Sequence, residues 1–425
     1  MSLLLRGGRV VDPSQDIDEK ADILIEDGKV SRLGCIPAKR SWEVIDVMDC
    51  VVTPGFVDMH VHLREPGRED KETILTGSRA AVAGGFTSIA CMPNTIPVND
   101  NAAITRFILE RAADAGLVNV FPIGAITQGS RGEQLAEMGE MREVGIVAVT
   151  DDGHPVQNNQ VMRRALEYAK TFDLLVMDHC EDLFLAAGGS MNEGAVSTRL
   201  GLRGMNRAAE EIHVVRDIVL SRITGGRIHI LHLSTRESLQ QIRAAKAEGV
   251  RVTCEVLPHH FTLTDDNIQN FDTNFKMMPP LREKGDIQAI LDGLSDGTID
   301  CLATDHAPHT RLDKDRPFEE AASGIVGMET AISLCWEHLV RANVVSVPRL
   351  VELFSLNPSR ILKLEKGTLK EGADADVTVI DPERQQVVNS SRFQSKGRNS
   401  PFDGWKLYGV PVLTVVGGKV VYRKD

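Results

Sequence analysis

Strand and helix patterns alternate along residues 85–127 of the chain. Residues 85–94 read GFTSIACMPN, residues 99–116 read NDNAAITRFILERAADAG, and residues 118–127 read VNVFPIGAIT. The first and third segments are short β-rich runs. The second has helical periodicity, with Asp100 or Asn101 as its N-cap and Gly116 as its end. The stretch therefore predicts a strand–helix–strand unit with parallel strands.

The same alternation continues through the middle of the chain. Further strand patterns are VGIVAVTDDG, LLVMDHCED, RIHILHLST, VTCEVLPHH and IDCLATDHAPH, and amphipathic helices separate most of them. With DMHVH at residues 58–62 in front, these units predict a right-handed parallel sheet that closes into a (β/α)8 barrel of the TIM type. The predicted fold class is therefore α/β.

Both ends of the chain differ from this middle region. LLLRGGRVV and ADILIEDGKVSRLG near the start, and ADADVTVIDP and VPVLTVVGGKVVYRKD near the end, are β-rich runs with Gly-Gly and Asp-Gly turns. Such runs predict short strands and hairpins. We expect residues 1–53 and 365–425 to build one small β-sandwich domain, with the barrel at residues 54–364 inserted between them.

Composition limits the function classes. The 425 residues include 48 basic and 60 acidic side chains, and the net charge of −12 argues against nucleic acid or an anionic membrane as the main partner. The seven cysteines occur singly, which is typical of a reducing compartment. No apolar run suits a signal peptide or a membrane span. We therefore expect a cytoplasmic protein that binds a small molecule.

Polar residues collect at the carboxyl ends of the predicted strands, where barrels build their active sites. His60 and His62 in DMHVH point to the same side of a strand, so both rings can reach one cation. An HxH pair alone is a weak signal. His179, His232 and Asp305 end other predicted strands. Together the five residues suit zinc or a similar divalent metal.

A second cation would need an anionic bridge. Five ligands are many for one open catalytic site, and paired cations about 3.5–4 Å apart share a bridging group. The segment TDDG offers Asp151 and Asp152, although Asp-Gly is also a strong turn signal. Strand alternation puts the two acids on opposite sides, so periodicity alone does not choose between them.

The order and length of the motifs carry a family resemblance. The motifs are DMHVHLREPG, ACMPNT, TDDG, MDHCED, ILHLST, PHHFTLTDDN, PPLREKGD and LATDHAPHT, in this order. They resemble those of class I dihydroorotases of the amidohydrolase superfamily over nearly the whole chain. The resemblance implies a hydrolase for the reversible cyclisation of N-carbamoyl-L-aspartate to L-dihydroorotate in de novo pyrimidine (UMP) biosynthesis. It implies a metal-activated hydroxide and an aspartate general acid/base.

The resemblance also implies a set of metal ligands. Two Zn²⁺ ions per subunit are expected, bridged by Asp152 and a hydroxide. His60 and His62 would bind the first ion, and His179 and His232 the second.

Catalytic and substrate-binding positions follow from the same resemblance. Asp305 would complete the first metal site and act as the catalytic general acid/base. The implied substrate-binding residues are His62, Arg64, Asn94, Met278, His309, Ser323 and Gly324. An arginine can hold a substrate carboxylate through two hydrogen bonds. Met278 departs from the pattern, because the family commonly has Asn there and methionine cannot donate a hydrogen bond.

Three further expectations concern a loop, rival functions and partners. The charged segment HTRLDKDRPFEEAASG at residues 309–324 predicts a mobile lid or a solvated surface loop.

Allantoinases, hydantoinases and dihydropyrimidinases use a carboxylated lysine as the bridge, and no lysine occurs between Lys71 and Lys170. A non-catalytic scaffold for aspartate transcarbamoylase would lose metal ligands that this chain keeps. The resemblance also implies a homo-oligomer, a dimer, and aspartate transcarbamoylase as a candidate partner.

Overall fold

The centre of the molecule is a closed barrel of eight parallel strands. The structure is a computed structural model and describes residues 2–425. The barrel strands, in chain order, are Phe56–Val61, Phe86–Cys91, Asn119–Pro122, Ala148–Val149, Leu175–Asp178, Ile228–Ile230, Val252–Val256 and Cys301–Leu302. The first three form one parallel sheet and the last five another. Parallel bridges Gly124–Val149 and Val61–His306 join the two sheets into a ring. The predicted (β/α)8 barrel is therefore confirmed.

Helices surround this ring on the outside. They are Ile74–Ala83, Ala102–Ala115, Met138–Val144, Asn159–Thr171, Ala208–Thr224, Arg236–Ala247, Lys284–Asp296 and Met328–Cys335. The helix predicted after residue 99 begins as expected, because the Asn101 side chain accepts hydrogen bonds from the backbone N–H groups of Ala103 and Ile104. It ends at Gly116, whose φ of 58° lies in the left-handed region that glycine tolerates.

Shorter elements connect the barrel units and complete the chain. The short helices are Leu183–Ala186, Ala195–Leu200, Pro258–Thr262, Arg311–Lys314, Val347–Val351 and Asn357–Leu362, with π-helical turns at Trp336–Val340 and Glu352–Leu356. Single 3-10 turns occur at Pro13–Gln15, Gln128–Ser130, Asp265–Asn267, Thr273–Phe275 and Ser390–Arg392. Two small sheets pair Met191–Asn192 with Gly204–Met205 and Gln386–Val387 with Lys406–Leu407.

Strands from both ends of the chain build one eight-stranded sheet beside the barrel. Its members are Ser2–Asp12, Ile17–Glu26, Lys29–Gly34, Glu43–Asp46, Val51–Pro54, Val377–Asp381, Val410–Val416 and Lys419–Arg423. The two ends meet where Val51–Pro54 pairs antiparallel with Val377–Asp381. Both predicted hairpins form, one over Ile17–Gly34 and one over Val410–Arg423. Apolar side chains from both ends share one core, which includes Leu5, Ile23, Val52, Val377 and Leu413.

The barrel interior is filled with side chains, so it is a core and not a channel. Met59, Met92, Ile123, Met177 and Leu231 are almost completely buried within it. This apolar layer leaves the carboxyl ends of the strands as the place for polar groups. Among residues 2–425, no helix combines the length and the apolar character needed to cross a bilayer.

Candidate active site

Six of the residues singled out in the sequence meet at the carboxyl ends of the barrel strands. They are His60, His62, Asp152, His179, His232 and Asp305, and all six are buried. His60 lies in the first barrel strand, and the other five follow the ends of five different strands by one to three residues. Five separate segments of the chain therefore converge on one point.

Asp152 is at the centre of this cluster. Its carboxylate lies 3.6 Å from His60 Nε2 and 3.4 Å from His62 Nε2. The same carboxylate lies 3.4 Å from His179 Nδ1 and 3.5 Å from His232 Nε2. One carboxylate thus contacts both pairs of imidazoles.

Asp305 contacts only the first pair. Its Oδ1 lies 2.9 Å from His62 Nε2 and 3.5 Å from His60 Nε2. Both Asp305 and His232 have positive φ, 46° and 33° respectively, which side-chain-bearing residues rarely adopt. Such backbone strain concentrates at functional sites, where the surrounding structure holds it in place.

The structure distinguishes the two adjacent acids that periodicity left equivalent. Asp151 turns away from the cluster and accepts hydrogen bonds from the N–H groups of Ile126 and Thr127, at 2.8 and 3.1 Å, and from the Thr127 hydroxyl. Burial raises the pKa of Asp151 to about 6. Because these bonds occupy the Asp151 carboxylate, Asp152 alone faces the imidazoles.

The outer nitrogens of three imidazoles are held by acceptor groups. His60 Nδ1 lies 2.6 Å from Glu255, and His62 Nδ1 lies 2.9 Å from the Asn94 side-chain oxygen. His179 Nε2 lies 2.9 Å from Glu181. A proton on each outer nitrogen leaves the inner nitrogen as a lone-pair donor toward the cluster centre.

Sequence reasoning did not single out Glu181 and Glu255. Glu255 is a fully buried acid in the apolar strand Val252–Val256, and a lone glutamate in VTCEV is the signal that could have identified it. Glu181 follows His179 by two residues and lines the pocket. Both carboxylates orient imidazoles of the cluster and do not lie at its centre.

The cluster strongly favours ionised carboxylates. Burial raises the pKa of Asp152, but the imidazoles of His60, His179 and His232 outweigh it and hold that pKa well below its usual range. Burial also raises the pKa of Asp305, but the imidazoles of His60 and His62 have the larger effect, so the pKa lies well below its usual range. Two anionic groups therefore face one another in a buried space, an arrangement that suits cations.

The donor set fits a metal centre. The buried atoms His60 Nε2, His179 Nδ1 and His232 Nε2 have no hydrogen-bond partner among the described residues. Ligand atoms about 2.1 Å from one tetrahedral zinc ion are separated by roughly 3.4 Å. The distances from the imidazoles to Asp152 are 3.4–3.6 Å. Imidazole and carboxylate are ligands that divalent transition metals accept.

A cavity of about 330 Å³ opens directly above this cluster. All the residues expected to bind substrate line it, namely His62, Arg64, Asn94, Met278, His309, Ser323 and Gly324. This volume suits a ligand at the small end of the range for protein pockets. The predicted substrate-binding residues and metal ligands therefore share one site.

Arg64 reaches the cavity from the turn that follows the first barrel strand. The strand does not persist to residue 64, because it ends at Val61. Arg64 instead has a φ of 63°, and its Nε donates to the Pro308 carbonyl at 3.3 Å. Burial lowers the Arg64 pKa to about 10, although Asp305 raises it, so the guanidinium stays charged at neutral pH. It is a cation at the rim of an anionic cluster.

His309 is neutral and locked in one tautomer. Its Nε2 donates to the Ser323 carbonyl at 2.8 Å, and its Nδ1 accepts from the Lys71 ammonium at 3.3 Å. Burial, Arg64 and Lys71 lower its pKa to about 2. The adjacent Gly324 has a φ of 117°, and a Cβ there would lie 2.7 Å from that of Ala307. Close packing therefore requires a glycine at this edge of the cavity.

The segment at residues 309–324 is tied to the body of the protein by a buried lysine. The Lys314 ammonium donates to the Lys276 carbonyl outside the segment, at 3.4 Å, and to the carbonyls of Ala322 and Gly324 within it, at 2.8 and 3.1 Å. Burial lowers the Lys314 pKa to about 7. The structure therefore gives this segment a defined path along the cavity rim, and its mobility stays a prediction.

Comparison with known proteins assigns the chain to a family. A family model described as dihydro-orotase-like matches residues 49–238, and an amidohydrolase family model matches residues 201–422. A dihydroorotase from Geobacter metallireducens is 55% identical over 425 residues, covering 100% of both chains. The chain belongs to the dihydroorotase family. The resemblance seen in the motifs is thereby confirmed.

Other relatives agree with the fold and the chemistry. A dihydroorotase from Pelotomaculum thermopropionicum is 55% identical over 423 residues, covering 100% of this chain and 99% of the relative. The L-hydantoinase of Arthrobacter aurescens superimposes with a TM-score of 0.89 at 27% identity, covering 100% of this chain and 96% of that one. The barrel-plus-sandwich fold is confirmed, and membership in this amidohydrolase family identifies a metal-dependent enzyme that hydrolyses cyclic amides.

Proposed function

We propose that this member of the dihydroorotase family interconverts N-carbamoyl-L-aspartate and L-dihydroorotate, as a step of pyrimidine biosynthesis. The observation that carries the proposal is the placement of Arg64 beside the buried cluster around Asp152, inside one cavity of about 330 Å³. The substrate has both a carboxylate and a cyclic amide. A cation at the rim and an anionic, imidazole-rich floor complement those two groups.

Two Zn²⁺ ions would be held by the cluster. His60, His62 and Asp305 offer ligand atoms within 4.8 Å of one another, and so do His60, Asp152 and His232. Asp152 would bridge the ions, since it contacts both imidazole pairs, and His179 would join His232 on the second ion. When bound, the metal would lower the pKa of water and polarise the amide carbonyl.

Asp305 would move the proton. Its carboxylate is ionised, lies 2.9 Å from His62 Nε2 and lines the cavity together with Arg64 and His309. It would accept a proton from the attacking water and deliver it to the ring nitrogen that leaves. In the cyclisation direction it would take the proton from that same nitrogen.

Arg64, Asn94 and His309 would orient the substrate. The Arg64 guanidinium can pair with the carboxylate, and the Asn94 amide nitrogen is free to donate because its oxygen faces His62 Nδ1. Neutral His309 would contribute polarity without adding charge. The backbone at Ser323 and Gly324 would face the ring, and Met278 would supply an apolar contact where the family commonly has Asn.

The test is an assay in both directions on purified protein, with metal content measured on the same sample. We expect dihydroorotate hydrolysis, N-carbamoyl-aspartate cyclisation and about two zinc ions per chain. Activity with full zinc content on allantoin or dihydrouracil, and none on dihydroorotate, would contradict the proposed substrate. Protein without metal and without activity would favour a scaffold for aspartate transcarbamoylase.

A hydantoinase activity is the second candidate, because the hydantoinase of Arthrobacter aurescens superimposes on the whole chain. Asp152 would supply the bridging carboxylate, where a carboxylated lysine would be expected in that enzyme class. Arg64 in the cavity favours a substrate with a carboxylate. Hydantoin and dihydroorotate assayed side by side at equal concentration distinguish the two activities.

The wider assignments are also proposals. The shared terminal sheet supports a β-sandwich domain of residues 1–53 and 365–425 around a barrel domain of residues 54–364. A cytoplasmic location, a homodimer and an aspartate transcarbamoylase partner follow from the family. Size measurement of the purified chain, with and without a transcarbamoylase, tests the last two.

A further inference from the structure

Lys71 is a buried lysine next to the catalytic cavity. It lies in the segment 62–73, which joins the first barrel strand to the helix Ile74–Ala83, and it is only 6% exposed. Lysine is rarely buried unless its ammonium has fixed partners. The Lys71 ammonium donates to His309 Nδ1 at 3.3 Å and pairs with the Asp313 carboxylate at 3.1 Å. Both partners belong to the segment 309–324, which contributes His309 to the cavity wall.

The segment that carries Lys71 is firmly anchored. The next residue, Glu72, is fully buried, and its carboxylate lies 3.2 Å from His306 Nε2 and accepts the Lys396 backbone N–H at 3.1 Å. The His306 carbonyl in turn accepts the backbone N–H of His62 at 2.9 Å, at the end of the first barrel strand. Lys71 therefore extends from a fixed backbone position.

The contacts of the His309 ring allow one protonation state. An ammonium group has no lone pair, so His309 Nδ1 must accept from Lys71 and carries no proton. A carbonyl can only accept, so Nε2, 2.8 Å from the Ser323 carbonyl, must carry the proton. Without Lys71, the imidazole would keep its Ser323 contact on one side and lose its partner on the other. Lys71 thus determines which atom of the imidazole donates.

Lys71 also joins the two segments that contribute Arg64 and His309 to the cavity. Arg64 and Lys71 belong to the segment 62–73, whereas His309 belongs to the segment 309–324. A second contact joins the same two parts of the chain, because Arg64 Nε donates to the Pro308 carbonyl at 3.3 Å. The two contacts together fix Arg64 and His309 relative to each other.

The surroundings of His309 disfavour an imidazolium. The pKa of His309 lies at about 2, mainly because burial disfavours the charged ring. The cations Arg64, Lys71 and Lys314 add to this effect. Asp313 offsets part of the charge of Lys71, with which it pairs. Of the two cavity-lining groups, Arg64 is therefore a charged donor and His309 a neutral one.

We propose that Lys71 is a positioning residue for the substrate carboxylate. It acts through His309, whose imidazole it holds in the Nε2–H form at a fixed place relative to Arg64. The inference rests on the proposed function, because it assigns Arg64 and His309 to the carboxylate of the substrate. The alternative is a role limited to the ion pair with Asp313, since ion pairs also hold two segments in one arrangement.

The first test observes His309 directly and requires no turnover. It compares the ring ¹⁵N NMR signals of wild type and Lys71→Met, with His309→Gln used to assign this ring among the 12 histidines. We expect the proton on Nε2 alone in wild type and both tautomers in Lys71→Met. A wild-type proton on Nδ1 would overturn the proposal even if Lys71→Met does not fold. An unchanged spectrum of folded Lys71→Met would overturn it as well.

The second test separates the imidazole contact of Lys71 from its ion pair. Lys71→Met should raise KM for dihydroorotate about five- to tenfold and change kcat less than about threefold, because ground-state binding of the carboxylate weakens. Asp313→Asn is the matched control. It removes the charge that pairs with Lys71, but its side-chain oxygen can still accept the Thr310 N–H that Asp313 accepts at 2.9 Å. Its KM should stay within about twofold of wild type. An equal rise of KM in both variants would reduce Lys71 to an ion-pair partner and overturn the proposal.

The two proposals fail in different ways. A wild type that does not turn over dihydroorotate would contradict the proposed function, and the tautomer of His309 would still decide the role of Lys71. Turnover by the wild type with an unchanged KM in folded Lys71→Met would overturn the positioning role and leave the proposed function intact. Circular dichroism of each variant establishes that it is folded.

Discussion

Glu255 Oε1 lies 2.6 Å from His60 Nδ1, and the other oxygen of the same carboxylate lies 3.2 Å from His229 Nε2. Burial raises the pKa of Glu255, but His60 and His229 outweigh it and lower that pKa to about 2. The carboxylate is therefore ionised beneath the cluster. It holds the His60 proton on Nδ1 and directs Nε2 toward the Asp152 carboxylate.

Glu255→Gln should weaken metal binding without removing it. The amide oxygen still accepts from His60 Nδ1 but carries no charge, so we expect zinc affinity to fall by about tenfold. Competition with a chelator of known affinity measures this. Glu329→Gln is the control, since that carboxylate accepts backbone N–H groups of Gln394 and Ser395 instead. Equal zinc affinity in Glu255→Gln and wild type would contradict the role of Glu255.

Asp305→Asn should retain metal but lose turnover in both directions. Proton transfer by a positioned carboxylate contributes on the order of 10²–10⁴ in rate, and the amide cannot accept the proton. Steady-state kcat for hydrolysis and for cyclisation, with zinc content determined on the same sample, measures the loss. Full zinc content with a near-normal rate would show that another group moves the proton.

Asp151→Asn and Asp152→Asn should separate stability from metal binding. Asp152→Asn should lose zinc and activity, because it removes the carboxylate that we propose as the bridge. Asp151→Asn should keep zinc but lose about 1–3 kcal/mol of unfolding free energy, since its bonds to Ile126 and Thr127 weaken. Zinc analysis and chemical denaturation on both variants check this. The reverse pattern would assign the bridge to Asp151.

Arg64→Met should raise KM for dihydroorotate by at least about tenfold, because the charge-assisted contact with the carboxylate is lost. A substrate analogue without the carboxylate should show little change in KM. Arg68→Met, an exposed arginine four residues further on, is the control and should behave as wild type. An unchanged KM in Arg64→Met would remove this arginine from the substrate site.

Metal removal should lower both activity and thermal stability. A metal that binds only the folded state stabilises it by RT ln(1 + [L]/Kd), so dialysis against a chelator should lower Tm. Added zinc should restore Tm and rate together. Asp152→Asn is the internal control, because its Tm should not respond to the chelator. A wild-type Tm that is equally insensitive would contradict a structural contribution from the metal.

The barrel, the β-rich segments at both ends and the positions of the motifs could be predicted from the amino-acid sequence. These features depend on neighbouring residues: the Asn101 cap, the Gly116 end and the hairpin turns are local. His60 and His62 were recognisable as a pair for the same reason. The resemblance then supplied their partners at distant positions.

Which side chains contact one another in the site could not be predicted from local sequence patterns. Strand periodicity does not choose between Asp151 and Asp152. Asp151 turns away from the imidazoles because it accepts hydrogen bonds from backbone N–H groups about 25 residues earlier in the chain. Glu255 meets His60 across 195 residues, which no local pattern shows. Arg64 enters the cavity through a left-handed turn after the strand has ended. Each outcome depends on non-local hydrogen bonds, whose partners exist only once the chain has folded.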